Sequence, residues 1–249
     1  MKNLHYFKKN IFSQNGEDGV ILEIIKRIFT KKKLVVCEFG AADGKHLSNT
    51  FNLVKRGMVS KAIYIESNNS FYSSLLDLSK EYQEIIPINC EVSHKKNDNN
   101  TLDKILLNLN IEKDIDMISI DIDSYDLDAF RTIKFYEPKM VIIEAGKQKY
   151  GVLSEHSLDK KLNSFSQIYN EFKNNFFLIF YNGNLFFLNK IYFDKKKVEK
   201  NFYINDKLHY YLHRIYSNYE NQSIYKKIIL KLIPKNVFLI SLILKIMNK

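Results

Sequence analysis

Between Leu34 and Glu144, short apolar runs alternate with amphipathic stretches, and that alternation restricts the chain to a sheet whose strands run parallel. The runs Leu34–Phe39, Ala62–Glu66, Glu84–Asn89, Met117–Asp121 and Met140–Glu144 are rich in Ile, Val and Leu, as strands buried on both faces are. Between them lie Ser48–Arg56, a helix with the apolar face Phe71, Leu75, Leu78 and Tyr82, a stripe of Leu102, Ile105, Leu106 and Leu109 capped at Thr101, and a short helix Asp126–Lys134. Strand, helix and strand in succession require a crossover that returns to the same end of the sheet. Ahead of the first run, Ile21, Ile24, Ile25 and Ile28 recur at helical spacing, with Glu17 and Asp18 in the first turn and Lys26 and Arg27 in the last, so a covering helix is expected there.

After Glu144 the pattern changes. A helix carrying Leu158, Leu162, Phe165, Tyr169 and Phe172 is followed by Phe176–Tyr181 and Leu185–Asn189, which flank Asn182-Gly183. An Asn-Gly pair between two β-rich runs marks an antiparallel hairpin. The expected fold is therefore α/β, a Rossmann-like sheet of five parallel strands plus a late antiparallel hairpin, with a helical C-terminal extension. That order suits the class I methyltransferase sheet better than a dinucleotide dehydrogenase, which continues in parallel. With 249 residues, 45% of them hydrophobic, one sizeable core is expected, divided into a helical cover over 1–33, a central domain over 34–192 and a basic, tyrosine-rich helical extension over 193–249.

Charge is uneven along the chain: residues 1–150 carry 22 basic and 21 acidic side chains, residues 151–249 carry 16 and 7. A tail of that sign meets phosphates, acidic headgroups or nucleic acid, or simply keeps the protein dissolved. Val237–Met247 is apolar except for Ser241 and Lys245, too short for a bilayer, which needs about 20 residues. It reads as a helix docking on the domain or on a second copy in a homodimer, or as a peripheral membrane contact through 224–249. Met1 to Asn10 is too polar for a signal peptide, and Cys37 and Cys90 fall in expected buried strands without metal-ligand spacing, so a cytoplasmic, reduced protein is expected.

The loop after the first strand, Glu38-Phe39-Gly40-Ala41-Ala42-Asp43-Gly44, has the small residues that let backbone turn tightly beside a nucleotide, and one strand-helix unit later Glu66 ends the second strand, where ribose hydroxyls need an acceptor. Asp121, Asp123 and Glu144 end the fourth and fifth strands, on the ligand side of an open α/β sheet. Three acids so placed hold a divalent cation such as Mg²⁺, include a general base of raised pKa, or bind acceptor hydroxyls, while Asp123 and Asp126 could instead cap the following helix. His46, after the loop, and His156, after the fifth strand, are further candidate bases near neutral pH.

Three ordered motifs, Ser13-Gln14-Asn15-Gly16-Glu17-Asp18, the Glu38–Gly44 loop with His46-Leu47-Ser48-Asn49-Thr50, and Ser119-Ile120-Asp121-Ile122-Asp123, together resemble the FkbM-type S-adenosylmethionine-dependent methyltransferases over roughly residues 12–190. The resemblance implies S-adenosylmethionine as cofactor, with Gly40, Ala42 and Gly44 shaping the loop beside its methionine part, Glu38 near its ammonium, Glu66 and Asp121 along the cofactor, and Cys90 and Glu91 at adenine. Gln14, Glu17 and Asp18 would close over the cleft toward the acceptor, alongside Glu144. One departure stands out: Ser124 replaces the Gly that often follows the second acid of the third motif.

The function implied is O-methylation of a sugar or another small, phosphorylated or nucleotide-activated precursor of a cell-surface or capsule polysaccharide. The basic tail raises the alternative of RNA methylation, although no RNA-binding module or Asn-Pro-Pro-Tyr-like motif is recognisable and nucleic acid is not the expected partner. A non-catalytic cofactor-binding scaffold at the membrane is the remaining alternative.

Overall fold

Side-chain alternation in the apolar runs decides which helices each strand meets. The computed structural model describes residues 3–31, 33–146, 162–204 and 209. In chain order these form α1 (Glu17–Ile28), β1 (Leu34–Phe39), α2 (Phe51–Lys55), β2 (Val59–Glu66), α3 (Asn69–Glu81), β3 (Ile85–Asn89), α4 (Leu102–Asn108), β4 (Met117–Ile120), α5 (Asp126–Phe130), β5 (Met140–Glu144), α6 (Phe165–Phe172), β6 (Phe176–Tyr181), β7 (Asn184–Asn189) and α7 (Lys195–Asn201). The seven strands form one sheet in the order β3-β2-β1-β4-β5-β7-β6. The first five are parallel, and β7 runs antiparallel between β5 and β6.

Each strand sends alternate residues into one of two cores. Val36, Ala62, Tyr64, Met117, Ile142 and Phe186 pack with the Ile face of α1, Phe51 of α2 and Leu75 and Leu78 of α3. Cys37, Ile63, Ile118, Ile143 and Phe187 pack with Leu102 and Leu106 of α4, Leu127 of α5 and Phe165 and Phe172 of α6. The doubly covered parallel sheet with its late hairpin matches the sequence expectation.

Packing continues past residue 192, where the sequence suggested a division. Phe193, Val198 and Phe202 are buried in the first core, and Arg27 of α1 donates to the Asn201 carbonyl and lies over the Phe202 ring. The Asp194 side chain caps α7, a helix that apolar periodicity does not mark. Similarly α6 starts at a reciprocal capping box between Ser164 and Gln167, so Leu162 precedes that helix rather than riding on it. Leu158, His156 and the extension beyond residue 209, including 224–249, lie outside the described residues. Among the described residues no helix is long and apolar enough to cross a membrane.

Candidate active site

Strand order reverses between β1 and β4, and the crevice beyond their carboxyl ends is where an open α/β sheet holds ligands. Gly40, directly after β1, makes this closeness possible: a Cβ there would collide with the carbonyl of Asp121 at the end of β4, and φ is +77°. The Gly40 and Ala41 N–H groups donate to the Ile65 carbonyl at 3.1 and 3.2 Å, which folds the loop toward β2. There Glu66 accepts the Ala42 N–H at 2.8 Å and the Asn68 N–H at 2.6 Å, one on each carboxylate oxygen. Ala42 is held at φ +48° by this bond, a left-handed conformation unusual for a residue with a Cβ.

Glu38 is not among the residues that line the cavity at this crevice. Its buried carboxylate accepts the Ser48 and Thr50 hydroxyls and the Asn49 and Thr50 N–H groups, and the Thr50 hydroxyl reaches on to Tyr64. Burial pushes its pKa up, opposed by those hydrogen bonds. The same bonds tie residues 48–50 back to β1, and α2 starts at Phe51 with Thr50 as its N-cap rather than at Ser48. At Gly44 a Cβ would press on Leu75 and Leu78 of α3.

The crevice opens into a cavity of about 440 Å³ whose lining includes Gly40, Ala42, Glu66, Cys90, Glu91, Asp121 and Asp123. Cys90 is half-exposed at its rim, one residue past β3, instead of being a core thiol, whereas Cys37 is buried as expected. Oxygens of Asp121, Asp123 and Glu144 can all lie within 4.8 Å of one another, close enough to share one hard cation. The Asp121 carboxyl is pushed up to about 8, first by burial and then by Glu144, Asp126, Asp123 and Glu38.

The turn after β4 carries backbone strain, with Asp123 at φ +56° and Tyr125 at φ +58°. Ser124, between them, has no positive φ, so the missing Gly at that position leaves no conformational debt. Asp126 opens α5 from inside its first turn and accepts the Ile122 N–H, while its other oxygen is buried with no hydrogen-bond partner.

Two residues with no periodic or motif signal complete the cavity. His94 stacks on Tyr125 with ring centroids 4.3 Å apart and planes 13° apart, and both line the cavity beside Phe71 of α3, which is 50% exposed instead of serving the core. The residues expected at the acceptor divide. Glu144 stands at the cluster, in register with Asn184 of β7. Glu17 and Asp18 are buried and organise the chain around them: Glu17 accepts the Asn15 N–H and the Asn182 and Asn184 amides, and Asp18 gathers the N–H groups of Ile11, Phe12 and Ser13. Gln14 is exposed. His46 is exposed too, with its N–H on Asp43, and does not line the cavity.

The methyltransferase FkbM domain model matches residues 46–178. Comparison with curated proteins gives no match. Similar solved structures include an S-adenosylmethionine-dependent methyltransferase from Aquifex aeolicus, 12% identical, aligned over 67% of this chain and 88% of that one with a TM-score of 0.40. TrmK from M. capricolum, in complex with S-adenosylhomocysteine, is 14% identical over 80% of this chain and 84% of its own, with a TM-score of 0.45. The CurJ carbon methyltransferase is 10% identical over 75% and 57%, with a TM-score of 0.47.

Proposed function

The chain belongs to the methyltransferase FkbM domain family, an S-adenosylmethionine-dependent enzyme family, and from that premise we propose that it methylates a hydroxyl oxygen of a small polar acceptor, a sugar or another precursor of a cell-surface polysaccharide. The donor suits the residues present: position 40 has no room for a side chain, and Glu66 puts a carboxylate at the cavity rim where ribose hydroxyls can donate. Bound there, S-adenosylmethionine supplies an electrophilic methyl carried on a sulfonium.

The observation that carries the acceptor reading is the group of Asp121, Asp123 and Glu144 at the ends of β4 and β5, beside the cavity. A hydroxyl is a weak nucleophile until its proton is taken up, and a carboxylate with a pKa of about 8 is well matched to that task near neutral pH. Asp121 is therefore the preferred base over His46, with Asp123 and Glu144 accepting further hydroxyls and aligning the attacking oxygen.

Incubating the protein with S-adenosylmethionine and free, phosphorylated or nucleotide-linked sugars, followed by mass spectrometry, should show the gain of one methyl. Asp121→Asn should abolish it while donor binding persists. Methylation of RNA alone, or donor binding with no acceptor methylated, would overturn the reading. A chelator tests the same carboxylates as a cation site: turnover lost and then restored by Mg²⁺ assigns the ion to them, and unchanged turnover assigns them to the hydroxyls.

A further inference from the structure

The cavity is acidic in a one-sided way. Its lining holds the carboxylates of Glu66, Glu91, Asp121 and Asp123 and, among the described residues, no Lys or Arg. Glu66 already takes a backbone N–H on each oxygen, which offsets part of its charge. Asp121 has no such relief: no hydrogen bond reaches its carboxylate from the described residues, and Asp123, Glu144, Asp126 and Glu38 all act on it as like charges. Asp126 is 3% exposed and accepts the Ile122 N–H on one oxygen, and its other oxygen has no partner among the described residues, so a further acid stands behind Asp121.

Position matters as much as charge. Glu66, Gly40, Asp121 and Glu144 end four adjacent strands, β2, β1, β4 and β5, so Asp121 lies roughly two strand spacings, about 10 Å, from Glu66. A donor whose ribose meets Glu66 and whose sulfur is one carbon beyond the ribose ring extends toward that middle position. S-adenosylmethionine and its product share an ammonium and a carboxylate that cancel. They differ at the sulfur, which loses its positive charge when the S–CH₃ bond breaks, its electron pair staying on sulfur as the methyl bonds to the acceptor oxygen and the hydroxyl proton passes to a base.

We propose that the acidic floor of this cavity acts as a charge filter, with Asp121 the residue through which the site holds the sulfonium donor more tightly than the uncharged thioether product. The inference rests on the methyl-donor reading of the cavity and adds a consequence to it: transfer itself removes the attraction, so the product leaves without competing strongly with fresh donor.

The test is titration calorimetry on the full chain at low ionic strength, in chelator, at about pH 8.5 so that the carboxylates are ionised. Three ligands are compared: S-adenosylmethionine, S-adenosylhomocysteine, and an analogue in which a carbon bearing an ammonium replaces the sulfonium. The donor and the ammonium analogue should both bind about tenfold more tightly than the thioether. High salt should shrink that ratio. Asp121→Asn should bring the ratio to within about twofold by weakening the two cations alone, leaving the thioether affinity nearly unchanged. Asp123→Asn, at an exposed position, should lower the ratio severalfold and serves as the second variant if Asp121→Asn fails to melt as a folded protein. Product binding as tight as donor binding, or a preference that survives both substitutions in folded protein, overturns the inference alone. A protein that binds none of the three overturns the donor reading along with it.

Discussion

Replacing Glu38 by Gln exchanges one accepting oxygen for an amide that donates, in front of two N–H groups and two hydroxyls, of which those of Thr50 alone have further partners, its N–H at the Ser48 hydroxyl and its hydroxyl at Tyr64. Glu38→Gln should cost about 2–3 kcal/mol, read as a lower urea midpoint with an unchanged slope. Asp121 gives the opposite sign. Its carboxyl titrates near 8 in the folded chain against an ordinary 3.8, so the folded state holds the proton more firmly, and stability falls as pH rises through that interval. Asp121→Asn removes the dependence and should gain about 2 kcal/mol on the native protein as pH rises from about 4 to about 8, less than the full shift because Asp121 keeps contact with solvent. Parallel pH–stability curves for the two proteins would refute this. The strand-end acids Glu66, Asp121 and Glu144 were legible because position along a parallel strand is written in the sequence. The structural role of Glu38 was not, since it depends on residues 48–50 returning over it, and neither was the His94–Tyr125 stack, whose partners are thirty-one positions apart on separate loops.

Elements were readable where apolar periodicity ran long and misread where a side chain from elsewhere set the boundary. The start of α2 and the entry into α1 both lie against buried carboxylates. Asp18 Oδ2 accepts the N–H groups of Ile11, Phe12 and Ser13, each at 2.8 Å, and the Ser13 hydroxyl at 2.7 Å, turning residues 11–13 around the helix start. Asp18→Ala leaves three N–H groups without their acceptor, that of Ser13 in the interior and those of Ile11 and Phe12 nearer the surface, and should cost about 2 kcal/mol in urea denaturation. Donor affinity should stay within about twofold, and turnover per folded molecule should be retained, because Asp18 faces its own loop rather than the cavity. Intact stability with lost turnover would instead return Asp18 to the acceptor. The capping box of α6 and the Asp194 cap of α7 are short-range signals present in the chain that a reading by hydrophobic period passes over.

At the scale of the molecule, alternation along the chain dictates a parallel sheet but does not say that β7 inserts beside β5, or how far the core extends beyond the hairpin. Composition suggested a boundary at residue 192, where the chain turns basic; buried packing continues past it, to Phe202. Phe202 is 2% exposed in the same core as the Ile face of α1, and Arg27 ties the two together, donating to the Asn201 carbonyl at 2.8 Å and sitting 5.7 Å from the Phe202 ring centroid and 5.1 Å from that of Phe7. Removing the ring leaves a cavity between α1 and α7 that the sheet beneath cannot collapse to fill. Phe202→Ala should therefore lower the main unfolding transition by about 3–4 kcal/mol, with far-ultraviolet dichroism and tyrosine fluorescence shifting together. A separate C-terminal unit would answer differently: the main transition would stay where it is, and only a small helical signal would melt early. Coincident shifts in both probes place residues 193–204 in the core that holds the cavity, whereas divergent ones would put the division back at residue 192.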